Sequence, residues 1–370
     1  MNRVIRILVI PLLGLKYEGI TSVIYNYCSN MDKSDMDISF LAGNEVPIEL
    51  KKRFDKIGKI IQVPNRKKNL MRYIVALSKI LDDNCYDIVH IHGNSGTMAL
   101  EALLSKIYKV KNVVVHCHNT TCSYPILNRV LIPIMKKMSN HLIACSDTAG
   151  KWLYGHSKYI VLNNAIDLRH FQYNNSVRSE CRLELNLTNE FVVGHVGHFT
   201  EQKNHEFLID VFAEFHKYIP NSKLVLISDG PLLEGIINRV KSFGLDNAVM
   251  FLGRRSDVNR LYQAMDLFIL PSLWEGLPVV VIEAQAAGLP LVVSSNVTKE
   301  AKCTKRTFYE DIVEGPECWA QKIVNIHQMN FNRESNIFED MREGGFDIKF
   351  EAEKLRKIYL GEYINEDRGL

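Results

Sequence analysis

Two glutamates, Glu275 and Glu283, stand with seven residues between them inside an otherwise almost wholly apolar run, LWEGLPVVVIEAQAAGLPLVVSS, from Leu273 to Ser295. A carboxylate among apolar side chains costs several kcal/mol unless donors meet it. Most helical glutamates simply face solvent. Here Glu283 lies among Val279, Ile282, Ala286 and Ala287, so water is scarce on every side and ligand hydroxyls would supply the donors. Gly-Leu-Pro flanks the segment twice, at Gly276–Pro278 and Gly288–Pro290. Pro278 suits the first turn of a helix. Gly288 suits the residue just past the helix, and Pro290 forbids continuation. The repeat therefore brackets a helix of roughly ten residues. DLFILPS before it and LVVSS after it read as buried strands, giving strand, tight loop, helix, strand, the crossover of a parallel sheet. Ligands of such sheets bind outside the carboxyl ends of strands, where Glu275 falls. The helix start adds unpaired N–H groups and a positive dipole end for an anion.

A second set lies earlier, in GHVGHFTEQKNHEFLID. Gly194 and Gly197 let backbone approach a ligand, and Lys203 projects a cation near the start of a helix. Such a set holds a diphosphate without a metal, although a Gly-x-x-Gly turn alone is common. A third set is His90, His92, His116 and His118, with Cys85 and Cys117 nearby. Histidine ligates zinc readily, but no C-x-x-C or H-E-x-x-H frames these residues. Satisfied core or cleft histidines are the expectation, with no metal.

The elements that must position these residues alternate along the chain. RILVI, DISFLAG, YDIVHIH, NVVVHCH and HLIACS read as strands. Helical patterns in TSVIYNYCSNM, MRYIVALSKILDD, TMALEALLSKIY and around Ile132–Met138 separate them. This is one doubly wound α/β domain, ending near Ile160–Phe171. After the polar stretch QYNNSVRSECRLELNLTNE the alternation restarts with FVVGHVGHF, KLVLISDG, AVMFLGR, DLFILPS and LVVSS. Residues 1–167 and 168–345 are thus expected as two Rossmann-like domains facing a central cleft. Residues 346–370 carry a final helical pattern.

The 370 residues are too many for one ordinary core. The 46% hydrophobic and 24% charged fractions are those of a globular enzyme, not a disordered chain. A net charge of +3 does not indicate nucleic-acid binding. The eight cysteines form no C-x-x-C pair, which points to reduced thiols in a cytoplasmic protein. MNRVIRILVIPLLGL imitates a signal peptide, but Pro11 breaks its run and no small-residue cleavage site follows, so Val4–Ile10 reads as the first strand. No stretch approaches the length of a membrane span. Between Lys51 and Ile80 there are ten Lys or Arg and one acidic residue, Asp55. That excess suits either a solvated face or an anionic membrane surface. With the basic and apolar YPILNRVLIPIMKKM, it suits an acceptor carried on a membrane lipid and peripheral contact with the inner face of the cell membrane.

EGLPVVVIEAQAAGLP, GHVGHFTEQKNHEFLI, LISDGPL and FLGRRSDV together resemble the GT4 family of retaining glycosyltransferases, especially bacterial exopolysaccharide and capsule enzymes. The resemblance covers nearly the whole chain. It implies the GT-B fold, with the acceptor on the first domain, the nucleotide-sugar on the second, and the last helix crossing back to the first. It implies a hexosyltransferase that needs no metal or other cofactor, with UDP the commonest base in similar enzymes. Its partners would be the nucleotide-sugar and a glycan or polyprenyl-linked acceptor, with no nucleic acid. Matched residue by residue, Glu283 takes the donor ribose hydroxyls and Glu275 lies near the donor sugar. The loop N–H groups of Gly276 and Leu277 face sugar and phosphate. Lys203 meets the diphosphate beside Gly197, Arg254 falls in the base-binding loop, and Gly19 in the loop under the donor phosphates. His118 lies near the reacting centre. The catalytic set is then His118, Glu275 and Lys203. Three positions depart from the family pattern: His198 stands where an arginine is usual, Glu18 where a glycine is, and Ser22 where an arginine is. These departures leave room for a non-catalytic partner that binds nucleotide-sugar. A GT-B sugar-nucleotide epimerase is the other alternative, and the Glu-x7-Glu unit speaks against it. A nicotinamide-dependent oxidoreductase would need G-x-G-x-x-G after the first strand, which RILVIPLLGLKYEG lacks.

Overall fold

The computed structural model describes residues 3–329, 331–333 and 337–363. The last part of the expected carboxyl-terminal segment, 364–370, lies outside the described residues. The chain forms two compact units, one built from the residues up to Ala165 and those from Asp347 onward, the other from Ile166–Phe346.

The first unit holds β1 (Ile5–Pro11), β2 (Met36–Ala42), β3 (Lys59–Gln62), β4 (Ile88–Gly93), β5 (Asn112–Cys117), β6 (His141–Ala144) and β7 (Ile160–Val161). They pair in the order β3-β2-β1-β4-β5-β6-β7, all parallel. The second holds β8 (Phe191–Val196), β9 (Ser222–Ile227), β10 (Val249–Phe251), β11 (Leu267–Leu270), β12 (Leu291–Ser294) and β13 (Thr307–Glu310). Their order is β10-β9-β8-β11-β12-β13, again all parallel. Strand order reverses between β1 and β4, and between β8 and β11. These are the switch points outside which ligands of doubly wound sheets bind. The central strands are runs of Val, Ile and Leu buried on both faces, as parallel strands under helices must be. In the second unit Trp319, Phe212 and Phe215 from the covering helices close the core over Leu224, Leu267 and Val292.

The crossover after β11 differs in detail from expectation. Its helix is Val279–Ala286, eight residues, with Pro278 one position before it at the N-cap. It ends as anticipated. Gly288 takes φ +72°, its N–H reaches Gln285 O, and Leu289 N–H reaches Ala284 O, the paired bonds of a left-handed helix stop. A Cβ there would also stand 2.7 Å from Arg333 O. The helix expected around Ile132–Met138 starts earlier, at Pro125, and continues through Pro133. The polar stretch after the first domain contains a helix, Asn175–Glu184, capped by the Asn174 side chain on Val177 N–H. Its anchors are ionic: Arg178 and Arg182 both reach the Asp266 carboxylate and the backbone carbonyls of 263–265. The last helix, Ile348–Leu360, belongs to the first unit. Its Tyr359 hydroxyl lies 2.7 Å from His90 Nδ1, and Arg356 pairs with Asp35 at 2.9 Å.

Candidate functional site

The β8/β11 switch point gathers the residues singled out in the second unit. β8 runs out through Gly197 into the single turn Glu201–Lys203 and then the helix His205–Tyr218. A Cβ on Gly197 would stand 2.7 Å from His195 Nε2 and 3.2 Å from the Lys203 stem, so only glycine lets these side chains lie beside the turn. After β11 the loop brings Glu275 against Lys203. Lys203 Nζ donates to Glu275 Oε1 at 2.5 Å, Ser272 Oγ to the same oxygen at 2.9 Å, and Gln202 Nε2 to Oε2 at 3.1 Å. Both charged side chains are largely buried, 16% and 9% exposed, so the pair is well shielded from solvent. Leu273 N–H bonded to Gln202 O ties the two loops together. Gly276 and Leu277 follow directly and are buried.

Glu283 sits on the next helix, partly buried. The Tyr262 hydroxyl donates to its Oε2 at 3.0 Å. Burial pushes its carboxyl up to about 7, and the Tyr262 hydroxyl pulls the other way. Oε1 has no hydrogen-bond partner among the described residues, which leaves an acceptor for a ligand hydroxyl. His198 and Arg254 meet on one carboxylate: His198 Nδ1 lies 3.3 Å and Arg254 Nε 2.6 Å from Asp229 Oδ1. Asp229 sits past the end of β9, in the quoted SDGPL, where sequence reasoning assigned it no role. Ser272, Gln202 and Tyr262 were also missed. They are ordinary polar residues that matter only through the glutamates they hold.

In the first unit, His118 follows β5 and is 7% exposed. His92 pairs with His116 across β4 and β5, and the rings of His90, His92, His116 and His118 stack on one face of the sheet. Burial holds His90 and His118 down at about 3 and His92 and His116 well below their usual range, so all four are neutral at pH 7. His118 Nε2 and His92 Nδ1 share a hydrogen bond of 2.8 Å. The expectation of satisfied histidines needs correction: among the described residues neither ring nitrogen of His116 has a hydrogen-bond partner, nor does His90 Nε2. The nitrogens of His90, His92 and His116 come within 4.8 Å of one another, a spacing that invites a metal reading. The His90 and His116 rings, however, lie within 3° of parallel. Their lone pairs then run in separate planes instead of meeting at one ion. Gly19 opens the helix Gly19–Asn30, and a Cβ there would meet nothing. All eight cysteines are free. Among the described residues no helix is long and apolar enough to cross a membrane.

Comparison with known proteins matches each unit separately. Residues 17–170 match the model described as Glycosyltransferase Family 4, and residues 178–305 the one described as Glycosyl transferases group 1. The chain is 28% identical over 368 residues to EpsF of Bacillus subtilis (strain 168), covering 94% of both chains. It is 29% identical over 327 residues to the Escherichia coli UDP-Gal:alpha-D-GlcNAc-diphosphoundecaprenol alpha-1,3-galactosyltransferase, covering 80% of this chain and 81% of that one. Among solved structures, Anabaena Alr3699/HepE in complex with UDP and glucose superposes with a TM-score of 0.79 at 18% identity, covering 97% and 100% of the two chains. The lipopolysaccharide glycosyltransferase WaaG gives 0.73 at 14% identity, covering 97% and 100%. With a glycosyltransferase model on each unit, two parallel-sheet domains and relatives aligned along nearly the whole length, this chain belongs to the GT4-like glycosyltransferases of GT-B fold.

Proposed function

We propose that this protein transfers a hexose from a UDP-sugar to a lipid-linked glycan acceptor in the synthesis of a cell-surface polysaccharide, with retention at the anomeric carbon and without a metal ion. The observation that carries the reading is the Lys203–Glu275 pair at the β8/β11 switch point, with Glu283 on the following helix. The galactosyltransferase relative acts on a diphosphoundecaprenol-linked sugar, and UDP and glucose occupy the HepE structure; both support the choice of substrates.

In this reading the C1–O bond to the diphosphate breaks while a new C1–O bond forms to the acceptor hydroxyl on the same face. The acceptor proton passes to the departing phosphate oxygen. Lys203 and the loop N–H groups of Gly276 and Leu277 meet the charge that grows on that phosphate, the role a divalent cation plays in other transferases. Glu275 orients Lys203 and borders the sugar. Glu283 accepts from the ribose hydroxyls. Arg254, held by Asp229, faces the base, and His198 offers the diphosphate a hydrogen bond in place of the usual arginine charge. His118 is neutral and accepts or donates one hydrogen bond near the acceptor hydroxyl. The basic and apolar surface of the first unit, with Ile126 and Val130 exposed beside Arg129, rests on anionic lipid.

The test is an assay with radiolabelled UDP-galactose and UDP-glucose, a diphosphate-lipid-linked GlcNAc acceptor, and excess EDTA. Transfer with an α-linked product by NMR is expected, with K203A and E283A reduced at least about a hundredfold. Activity only with added Mn²⁺, an inverted product, or full turnover by E283A would each refute the corresponding part.

A further inference from the structure

Four histidines stack in the core of the first unit, and the proposed reaction uses His118 alone. His90, His92, His116 and His118 are 1%, 4%, 1% and 7% exposed, and their rings lie 4.0–5.4 Å apart between centroids. A core that needed only packing would carry Val or Ile there, as the rest of β4 and β5 does. The stack instead leaves His90 Nε2 and both nitrogens of His116 without hydrogen-bond partners among the described residues, which costs stability. What imidazole offers in return is a charge that changes near neutral pH.

The last helix, Ile348–Leu360, closes against this stack. Its Tyr359 hydroxyl lies 2.7 Å from His90 Nδ1, and the Tyr359 ring meets the His90 ring edge-on, 5.7 Å between centroids. Its other polar ties include Arg356 to Asp35, Lys354 Nζ to Val161 O at 2.7 Å, and Asn112 Nδ2 to Ile358 O at 3.4 Å. The titratable groups packed around Tyr359 and the stack are Cys28 and Tyr27 on the helix Gly19–Asn30, Glu351 on the last helix, and Cys145 after β6. Glu351 acts on Tyr27 and pairs with Lys354 at 3.9 Å. The four rings themselves feel burial and one another, with the neutral Asn164 side chain on His118; among the described residues no carboxylate acts on them. A proton in the stack is therefore uncompensated while the helix is docked.

We propose that the stack is an acid-released latch for the last helix: below neutral pH, rings that undocking brings to water take up protons and drive Ile348–Leu360 off the first unit. Burial keeps the docked rings neutral, holding His90 and His118 at about 3 against an ordinary 6.5. Docking is therefore at full strength above about 6.5 and weakens as pH falls below it. Each ring that reaches water favours release about tenfold per pH unit in that range. Because His118 belongs to the stack, release of the helix and charging of the proposed reacting centre come together.

The experiment follows amide hydrogen exchange of the full-length protein by mass spectrometry from pH 7.5 to 5.0, corrected for the intrinsic pH dependence of exchange. The opening constant of Ile348–Leu360 is expected to rise about tenfold or more between pH 6.5 and 5.5, while the helix Leu233–Ser242 of the second unit changes less than about twofold. The double variant His90→Phe/His116→Phe should cut that rise to about threefold or less. Asp35→Asn, which removes the ion pair to Arg356, should raise the opening constant at every pH and keep the wild-type slope. No rise in the wild type, an equal rise in the double variant, or a slope lost with Asp35→Asn overturns the proposal. Should the double variant not fold, His116→Phe alone must lower the slope, and an unchanged slope overturns the latch in the same way.

Discussion

Glu283 is where protonation and ligand binding meet. In the folded protein its carboxyl titrates near 7, against an ordinary 4.5. A carboxyl raised in this way favours the folded state while protonated, so its contribution is present below about 4.5 and is lost as pH rises towards 7. Glu283→Gln should therefore gain on the wild type between pH 5 and 7, by at most about 3 kcal/mol, in urea melts run across that range. Ribose hydroxyls would donate to the ionised form and draw the pKa back down. UDP titration at pH 6.5 should then release protons, read as a binding enthalpy that varies with buffer ionisation enthalpy, and E283Q should abolish the variation. The two glutamates were legible because a carboxylate inside an apolar run is costly and so conspicuous. Their holders were not: Tyr262 and Ser272 are unremarkable by type, and only folding brings them to Glu283 and Glu275.

Among the elements, legibility followed hydrophobic pattern. Buried parallel strands announce themselves as runs of Val, Ile and Leu, and the Gly-Leu-Pro repeat marks both ends of Val279–Ala286. The helix Asn175–Glu184 was hidden, because little of it is apolar and its anchor, Asp266, lies more than eighty residues away. The strands β3, β7 and β13 were passed over as short or polar edges of their sheets. Since Asp266 binds both Arg178 and Arg182 and also accepts Val192 N–H at 2.8 Å, Asp266→Ala leaves two partly buried guanidinium groups without their carboxylate. A loss of about 3 kcal/mol is expected in chemical denaturation. Gly197→Ala acts on the turn instead, pressing a methyl group on His195 and the Lys203 stem. UDP affinity should fall at least about tenfold while the melting temperature drops only a few degrees.

For the molecule as a whole, two compact units with separate cores predict unfolding that is not a single two-state step. Calorimetry should resolve two transitions, and UDP, which the proposed function assigns to residues of the second unit, should raise one far more than the other, as mass action requires. An equal rise in both would mean that the nucleotide is gripped by residues of each unit.

The final helix, Ile348–Leu360, completes the unit that the chain began with. On the ribosome the first unit's sheet emerges long before Tyr359 and Arg356 exist to meet His90 and Asp35. The second unit, one contiguous stretch, can fold as soon as it clears the exit tunnel. The order of synthesis is thus the reverse of the order of completion: the half made first is finished last. Emergence of this helix, not of the opening residues, becomes the event that closes the first unit.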